Sequence, residues 1–353
     1  MSATIWLRHE TKKNEKRTPL TPQDAKKLLD QGVEVIVEKS PNRIFKDIEY
    51  ADIGCKLVEM NSWKTDAPNS ETTYILGLKE LEEELAPLKH QHIYFAHIFK
   101  GQDGAEQVFK RYNEGRGKLY DLEFLQNESG RRVAAFGFWA GYIGCALAVE
   151  TYAHKQKNLG TCPLRFYENK SDWVEIIKEK LSGLDLPKTI VIGALGRCGT
   201  GARTLLSDVG LDVTSWDFEE TKKGGPFSEI MEHDIFINTV LMTKKIAPFI
   251  SPELLNTEYN LKVISDVSCD PNSELNPIPI YDQHTTWSQP ELNIDKLSVI
   301  AIDNLPSALP RESSEDFSEQ LIPHLLDLCL KGQESYTWKN AEEIFRKKMK
   351  ESL

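Results

Sequence analysis

Thr189-Ile-Val-Ile-Gly-Ala-Leu-Gly-Arg-Cys-Gly-Thr-Gly-Ala202, followed after a helical run by Leu211-Asp-Val-Thr-Ser-Trp-Asp217, is the stretch on which the fold turns. A β-branched apolar run leads straight into glycines. The glycines lead into Thr204-Leu205-Leu206 at helical spacing, and an acid closes the next apolar run. The reading is strand, tight turn, helix, strand. Glycines let a backbone approach a pyrophosphate, a helix N-terminus offers N–H groups and a positive dipole end, and an acid accepts hydrogen bonds from a ribose diol. The spacing is Gly193-x-x-Gly196-x-x-Gly199 rather than G-x-G-x-x-G, so its weight comes from the flanking strand and acid. Without a ligand, the same residues make a glycine-rich turn in an α/β sheet.

The remainder of the chain has room for a second domain, since 353 residues exceed the usual single-domain size. Composition is that of a globular protein, 40% hydrophobic and 27% charged. A net charge of −11 argues against a nucleic-acid partner, because phosphate binding calls for basic patches. Cysteines 55, 145, 162, 198, 269 and 329 show neither metal-ligand spacing nor a disulfide framework, which suits a reducing cytoplasm. No metal site is expected. The chain opens directly into a strand, so neither a signal peptide nor a membrane partner is expected. The uncharged run Val133–Val149 is slightly short of a membrane span and reads as a buried core helix.

Taken in order, the first 130 residues alternate strand and helix. Strands are expected at 4–8, 33–37, 56–58, 73–78, 93–95 and 119–123, and helices at 22–31, 47–51 and 104–113. Thr21 supplies an N-cap, Pro22 a first helical residue and Gly32 a stop. Such alternation means a parallel α/β sheet, and ligands bind such sheets beyond the carboxyl ends of the strands. Lys79, His97 and Glu123 each fall at such an end. A single lysine there is more simply a solvated loop residue; three titratable groups at three strand ends suggest a cleft.

The core helix, at 138–154, is expected to cross from this sheet to the second domain, and another helix at 171–182 precedes the glycine stretch. Further strands are expected at 235–238 and 261–267, and a last strand and turn at 299–306. Helices from Ser313 to Leu330 and Trp338 to Lys350 are expected to pack back on the first domain. The fold class is therefore α/β, with two Rossmann-like domains whose parallel sheets flank a cleft. The first is discontinuous (1–134 with 314–353) and carries substrate and catalysis; the second (135–313) carries the nucleotide.

Several motifs carry a resemblance. Arg8-His-Glu-Thr-Lys12 with Lys16-Arg-Thr-Pro-Leu-Thr-Pro22 resembles the opening of the alanine dehydrogenase superfamily. Gly77-Leu-Lys-Glu80, Phe95-Ala-His97, Tyr120-Asp-Leu-Glu-Phe124, Gly130-Arg-Arg-Val-Ala-Ala-Phe-Gly137, Gly193-Ala-Leu-Gly-Arg-Cys-Gly199, Gly224-Gly-Pro226, Asn276-Pro-Ile-Pro279 and Leu305-Pro-Ser-Ala-Leu-Pro-Arg-Glu312 are similar to the NAD-dependent, lysine-forming saccharopine dehydrogenases. The likeness runs over essentially the whole chain.

This resemblance implies that saccharopine, NAD⁺ and water give L-lysine, 2-oxoglutarate and NADH, reversibly, at the end of a lysine biosynthetic route. It implies Lys79 as base for the secondary amine and His97 as acid–base for imine hydrolysis, with Glu80 and Glu123 tuning them. It places Arg17 and Arg132 on substrate carboxylates, where arginine forks fit. Lys79, Gln102, Phe136, Ser268, Cys269 and Asp270 are implied to line the substrate site as well. For NAD it implies Arg131, Gly196, Arg197, Asp217, Thr221, Leu241, Val267, Ile302, Asp303, Asn304 and Leu305. Asp217 favours NAD over NADP because an acid repels a 2′-phosphate, although Lys222-Lys223 partly offset it. The implied partners are small molecules, and a monomer is expected.

The chain departs from the family at one place. Fungal members carry Cys-Ile-Tyr where this chain has Thr239-Val240-Leu241, so Cys198 has no disulfide partner there and a tyrosine contact to the cofactor is lost. Two other functions compete. An amino-acid dehydrogenase using a keto acid and ammonia would share the lysine and histidine, and is opposed by Arg132 with Gly-Arg-Cys-Gly. A non-catalytic NAD sensor would keep 193–217 and have no need of Lys79 or His97. A transhydrogenase subunit is disfavoured because no membrane segments are seen.

Overall fold

The computed structural model describes residues 3–68, 71–100, 102–242 and 244–353. The chain divides into two units, one running to Ala135 and including Pro310–Leu353, the other Phe136–Leu309.

The first unit is built on β1 (Thr4–Leu7), β2 (Glu34–Glu38), β3 (Lys56–Val58), β4 (Thr73–Leu76), β5 (Gln91–Tyr94) and β6 (Lys118–Asp121), with helices α1 (Pro22–Asp30), α2 (Asp47–Ala51) and α3 (Ala105–Gly115). The sheet runs β3-β2-β1-β4-β5-β6 and every pair is parallel. Strand order reverses between β1 and β4, where the crevice of such a sheet opens. α1 begins as its sequence dictates: the Thr21 hydroxyl accepts the Asp24 N–H at 3.3 Å, and Pro22 fills a position that needs no N–H donor.

The second unit holds α4 (Gly137–Gln156), α5 (Lys170–Leu181), β7 (Thr189–Ile192), α6 (Arg197–Asp208), β8 (Val213–Trp216), α7 (Phe218–Thr221), β9 (Ile235–Asn238), β10 (Val263–Asp266), β11 (Leu292–Ile294) and β12 (Leu297–Ile300). Its sheet runs β11-β12-β10-β9-β7-β8. β11 is antiparallel to β12 and was not expected, since Leu292-Asn293-Ile294 is too short to show a period.

One expectation is corrected here. α4 does not cross between units; it is the central helix of the second, packed against α6 and β10. Gly141 explains the close approach to α6, since a Cβ there would collide with the Cys198 carbonyl. The one acid in this buried helix, Glu150, accepts Trp173 Nε1 at 2.8 Å and pairs with Lys180. Cys162 and His154 bring a thiol and an imidazole within 4.8 Å of the Glu150 carboxylate. The cation among them is the Lys180 ammonium, 2.7 Å from His154 Nε2.

The chain ends in α8 (Pro310–Lys331) and α9 (Tyr336–Ser352), which belong to the first unit. Two serines of α8 tie down the loop after β1. Thr18 N–H donates to Ser314 Oγ at 2.9 Å and Thr21 N–H to Ser318 Oγ at 3.0 Å. No helix among the described residues is long and apolar enough to cross a membrane.

Candidate active site

In the first unit the carboxyl ends of β4, β5 and β6 deliver Lys79, His97 and Glu123. His97 Nδ1 lies 2.5 Å from Glu80 Oε1. The hydrogen bond to Glu80 raises the imidazole above its ordinary value against the opposing effect of burial. Burial pushes Glu80 upward, but the His97 hydrogen bond and charge outweigh it and hold the carboxyl at about 2. His97 sits at φ 53°, a left-handed conformation that costs a non-glycine residue about 1 kcal/mol. With Nδ1 engaged by Glu80, Nε2 is the ring atom left to exchange a proton with a ligand.

Glu80, His97, Gln102 and Lys12 line a cavity of about 750 Å³ whose wall also includes Glu82, Glu83 and Glu84. Glu123 is not joined to Glu80; its carboxylate takes the Lys100 ammonium at 2.6 Å. Gln102 Oε1 accepts the Lys100 N–H at 2.8 Å.

Replacing Glu80 by Gln removes the charge that keeps His97 protonated. The imidazole then titrates at lower pH, and the limb of the rate profile that reports it moves the same way. An NMR titration of His97 in wild type and E80Q checks this, and an unmoved titration contradicts it.

Asp121, the last residue of β6, was not singled out in the sequence. It is 1% exposed, its Oδ1 accepts the Glu123 N–H at 2.9 Å, and Oδ2 is buried without a hydrogen-bond partner. Burial pushes this carboxyl from 3.8 to about 6. Between those values the folded state binds more protons than the unfolded chain, so stability falls as pH rises through the window. The loss is at most roughly 3 kcal/mol at 1.36 kcal/mol per pKa unit. Denaturant titrations at pH 4 and pH 7 check this: the stability of wild type relative to Asp121→Asn is expected to fall by about that amount between the two.

Arg17 is paired within its own loop. Its Nε and Nη2 clasp Glu15 at 2.8 and 2.7 Å, both side chains being buried. Burial raises Glu15, yet Arg17 pulls its carboxyl below the ordinary range. Arg131 and Arg132 are exposed and flank a turn in which Asn127 Oδ1 accepts the Ser129 and Arg131 N–H groups, at 3.1 and 3.0 Å. Arg131 belongs to the first unit; the other ten residues expected to bind cofactor belong to the second.

In the second unit those ten residues gather at one edge of the sheet. Gly196 and Arg197 follow β7, Asp217 and Thr221 follow β8, Leu241 follows β9, Val267 follows β10, and Ile302–Leu305 follow β12. Ser268, Cys269 and Asp270 continue the β10 end, and Phe136 precedes α4. Gly196 is the N-cap of α6, and it has no side chain to cap that helix. Gly199 is required: a Cβ there would strike the Gly193 carbonyl and the Ala194 backbone. Asp217 Oδ2 accepts the Leu195 N–H at 2.8 Å and Oδ1 the Phe218 N–H at 2.9 Å. The acid therefore fixes the glycine turn, and its remaining lone pairs suit a ribose diol.

Thr239, noted in the sequence only as a departure, donates its hydroxyl to the Ile192 and Gly193 carbonyls at 2.8 and 3.0 Å. The Thr221 hydroxyl donates to the Asp217 carbonyl at 2.8 Å. Leu195, Phe218 and Leu241 stand 75%, 70% and 72% exposed around the β7, β8 and β9 ends, an apolar rim for a planar base. Only Leu241 of these was picked from sequence. A glycine cradle, an uncapped helix N-terminus and a ribose-ready acid fit a dinucleotide.

Residues 6–143 match the model of the alanine dehydrogenase/PNT N-terminal domain, and residues 227–350 that of its C-terminal domain. The chain belongs to the alanine dehydrogenase/PNT family. Within it, the chain is 50% identical to the "Saccharopine dehydrogenase [NAD(+), L-lysine-forming]" of Emericella nidulans, over 99% of this chain and 98% of that one. The Yarrowia lipolytica protein of the same name is 49% identical over 97% and 96%. Among solved structures, an L-alanine dehydrogenase superposes with a TM-score of 0.68 at 15% identity, covering 98% of this chain and 94% of that one. At that identity the likeness speaks for the fold alone.

Proposed function

We propose that the chain oxidises saccharopine with NAD⁺ and water to L-lysine, 2-oxoglutarate, NADH and a proton, and runs the reverse reaction. The observation that carries this reading is the 50% identity to a lysine-forming saccharopine dehydrogenase over nearly both full lengths. The geometry supports it, because one strand-end segment, Leu78-Lys79-Glu80, carries one proton-handling group and holds the other.

When bound, NAD⁺ supplies the hydride acceptor. Gly196, Arg197, Asp217, Thr221, Leu241, Val267 and Ile302–Leu305 would hold it, with Arg131 of the first unit. Lys79 takes the proton of the substrate's secondary amine as hydride leaves the adjacent carbon, giving an imine. His97 then gives and takes protons at Nε2 as water adds and the carbinolamine collapses. Glu80 keeps the imidazole protonated to higher pH; Glu123 adds negative charge at the neighbouring strand end. Gln102, Phe136, Ser268, Cys269 and Asp270 would line the substrate. Arg17, steadied by Glu15, and the exposed Arg132 would take substrate carboxylates. The reading extends to a cytoplasmic location, supported by cysteines scattered without a framework, and to a monomer.

The test is NADH oxidation by purified protein with lysine and 2-oxoglutarate together, beside pyruvate or 2-oxoglutarate with ammonia. A requirement for both lysine and 2-oxoglutarate is expected. Turnover with a keto acid and ammonia alone moves the protein to the amino-acid dehydrogenases, and NADH binding without turnover revives the sensor reading.

A further inference from the structure

The β1 end lies beside the β4 end at the point where strand order reverses. The parallel register pairs Leu7 with Leu76, so beyond the strands Arg8 runs level with Gly77 and Glu10 with Lys79. Glu10 Oε1 accepts the Leu78 N–H at 2.6 Å and Oε2 the Lys79 N–H at 2.9 Å. The Arg8 guanidinium donates through Nη2 to the Lys79 carbonyl. Its Nη1 lies 3.4 Å from Glu10 Oε2, and both side chains are buried. Gly77 is the residue that lets this happen, because a Cβ there would occupy the space of the Arg8 guanidinium. Arg8 also stacks over Tyr94 at 5.6 Å and donates to the His9 carbonyl at 3.2 Å, so it is itself immobilised.

We infer that Arg8 and Glu10 are positioning residues for the reaction proposed above, an ion pair that grips the Lys79 main chain by its N–H and its carbonyl. The peptide groups on both sides of Lys79 are fixed. The next residue, Glu80, holds His97, so one clamp sets both proton-handling groups. A buried charge pair is an expensive way to satisfy three backbone groups, since a well-packed apolar pair is often equally stable. Its return here is geometric: small displacements of a proton-transfer group cost orders of magnitude in rate. The inference rests on the proposed function and falls with it.

Glu10→Gln tests it. An amide offers one acceptor and turns its NH₂ toward the other backbone N–H, so the segment shifts while volume is kept. The expected result is a fall in kcat for lysine-dependent NADH oxidation of about 10- to 100-fold, with KM values for lysine, 2-oxoglutarate and NADH changed less than about threefold. The pH–rate profile is expected to move as well. Asp24→Asn, at a buried carboxylate in the first turn of α1 of the same unit, is the stability control and keeps wild-type kcat and profile. Arg8→Lys, which keeps one donor for the carbonyl, carries the same criteria if E10Q fails to fold. A folded E10Q or R8K with wild-type kcat and pH profile overturns the inference, as does an equal loss in D24N. Absence of lysine-dependent turnover in wild type overturns the functional reading, and the inference with it.

Discussion

Lys79→Met is expected to lower turnover with lysine and 2-oxoglutarate by about 10³-fold, within the range for loss of a general acid–base group. The main chain at position 79 is held by Arg8 and Glu10, so the substitution removes the amine without releasing the strand end. NADH affinity and the melting temperature should stay close to wild type, because the residues proposed to bind cofactor lie mainly in the other unit. Fluorescence titration of NADH and steady-state kinetics measure the two effects separately. Partial rescue by small primary amines would identify the lost group as a base. Retained turnover in a folded K79M would remove Lys79 from the mechanism while leaving the NAD assignment standing.

Gly199→Ala is expected to weaken NADH binding by about 10²-fold. The new methyl meets the Gly193 carbonyl and the Ala194 backbone, neither of which swings aside as a side chain would. Overpacking of this kind costs about 1–3 kcal/mol, and each 1.4 kcal/mol is about tenfold in affinity. The displaced turn is the one that Asp217 and Thr239 hold from either side, so the damage falls on the whole phosphate cradle. Equilibrium titration of G199A with NADH checks it. KM for NADH should rise while the pH dependence assigned to His97 stays in place, since His97 belongs to the first unit. Wild-type affinity in G199A would mean that the α6 N-terminus is not the binding element.

Much of this was legible in the chain itself. Short apolar runs marked eleven of the twelve described strands, because a buried parallel strand is apolar on both faces. Thr21-Pro22 and Gly32 marked the ends of α1 through local backbone chemistry alone. The glycines at 193, 196 and 199, with Asp217, announced a phosphate cradle because a close backbone approach leaves no room for a Cβ.

Tertiary structure decided what depends on partners distant in sequence. That Glu15 clasps Arg17, that Thr239 holds the glycine turn, and that Arg8 and Glu10 grip Lys79 follow from which strand ends lie side by side. Asp121 sits inside a quoted motif, but its raised pKa comes from burial, which is a property of the packed sheet. Leu195 and Phe218 were not picked out in the chain, and only the folded turns show that they stand in water. The sequence by itself determined most of the elements and the family, and it nominated the chemistry-bearing residues, since these rest on local pattern. Which side chains neutralise, orient or desolvate one another was decided by the fold, because electrostatic and hydrogen-bond energies depend on distance in space rather than along the chain.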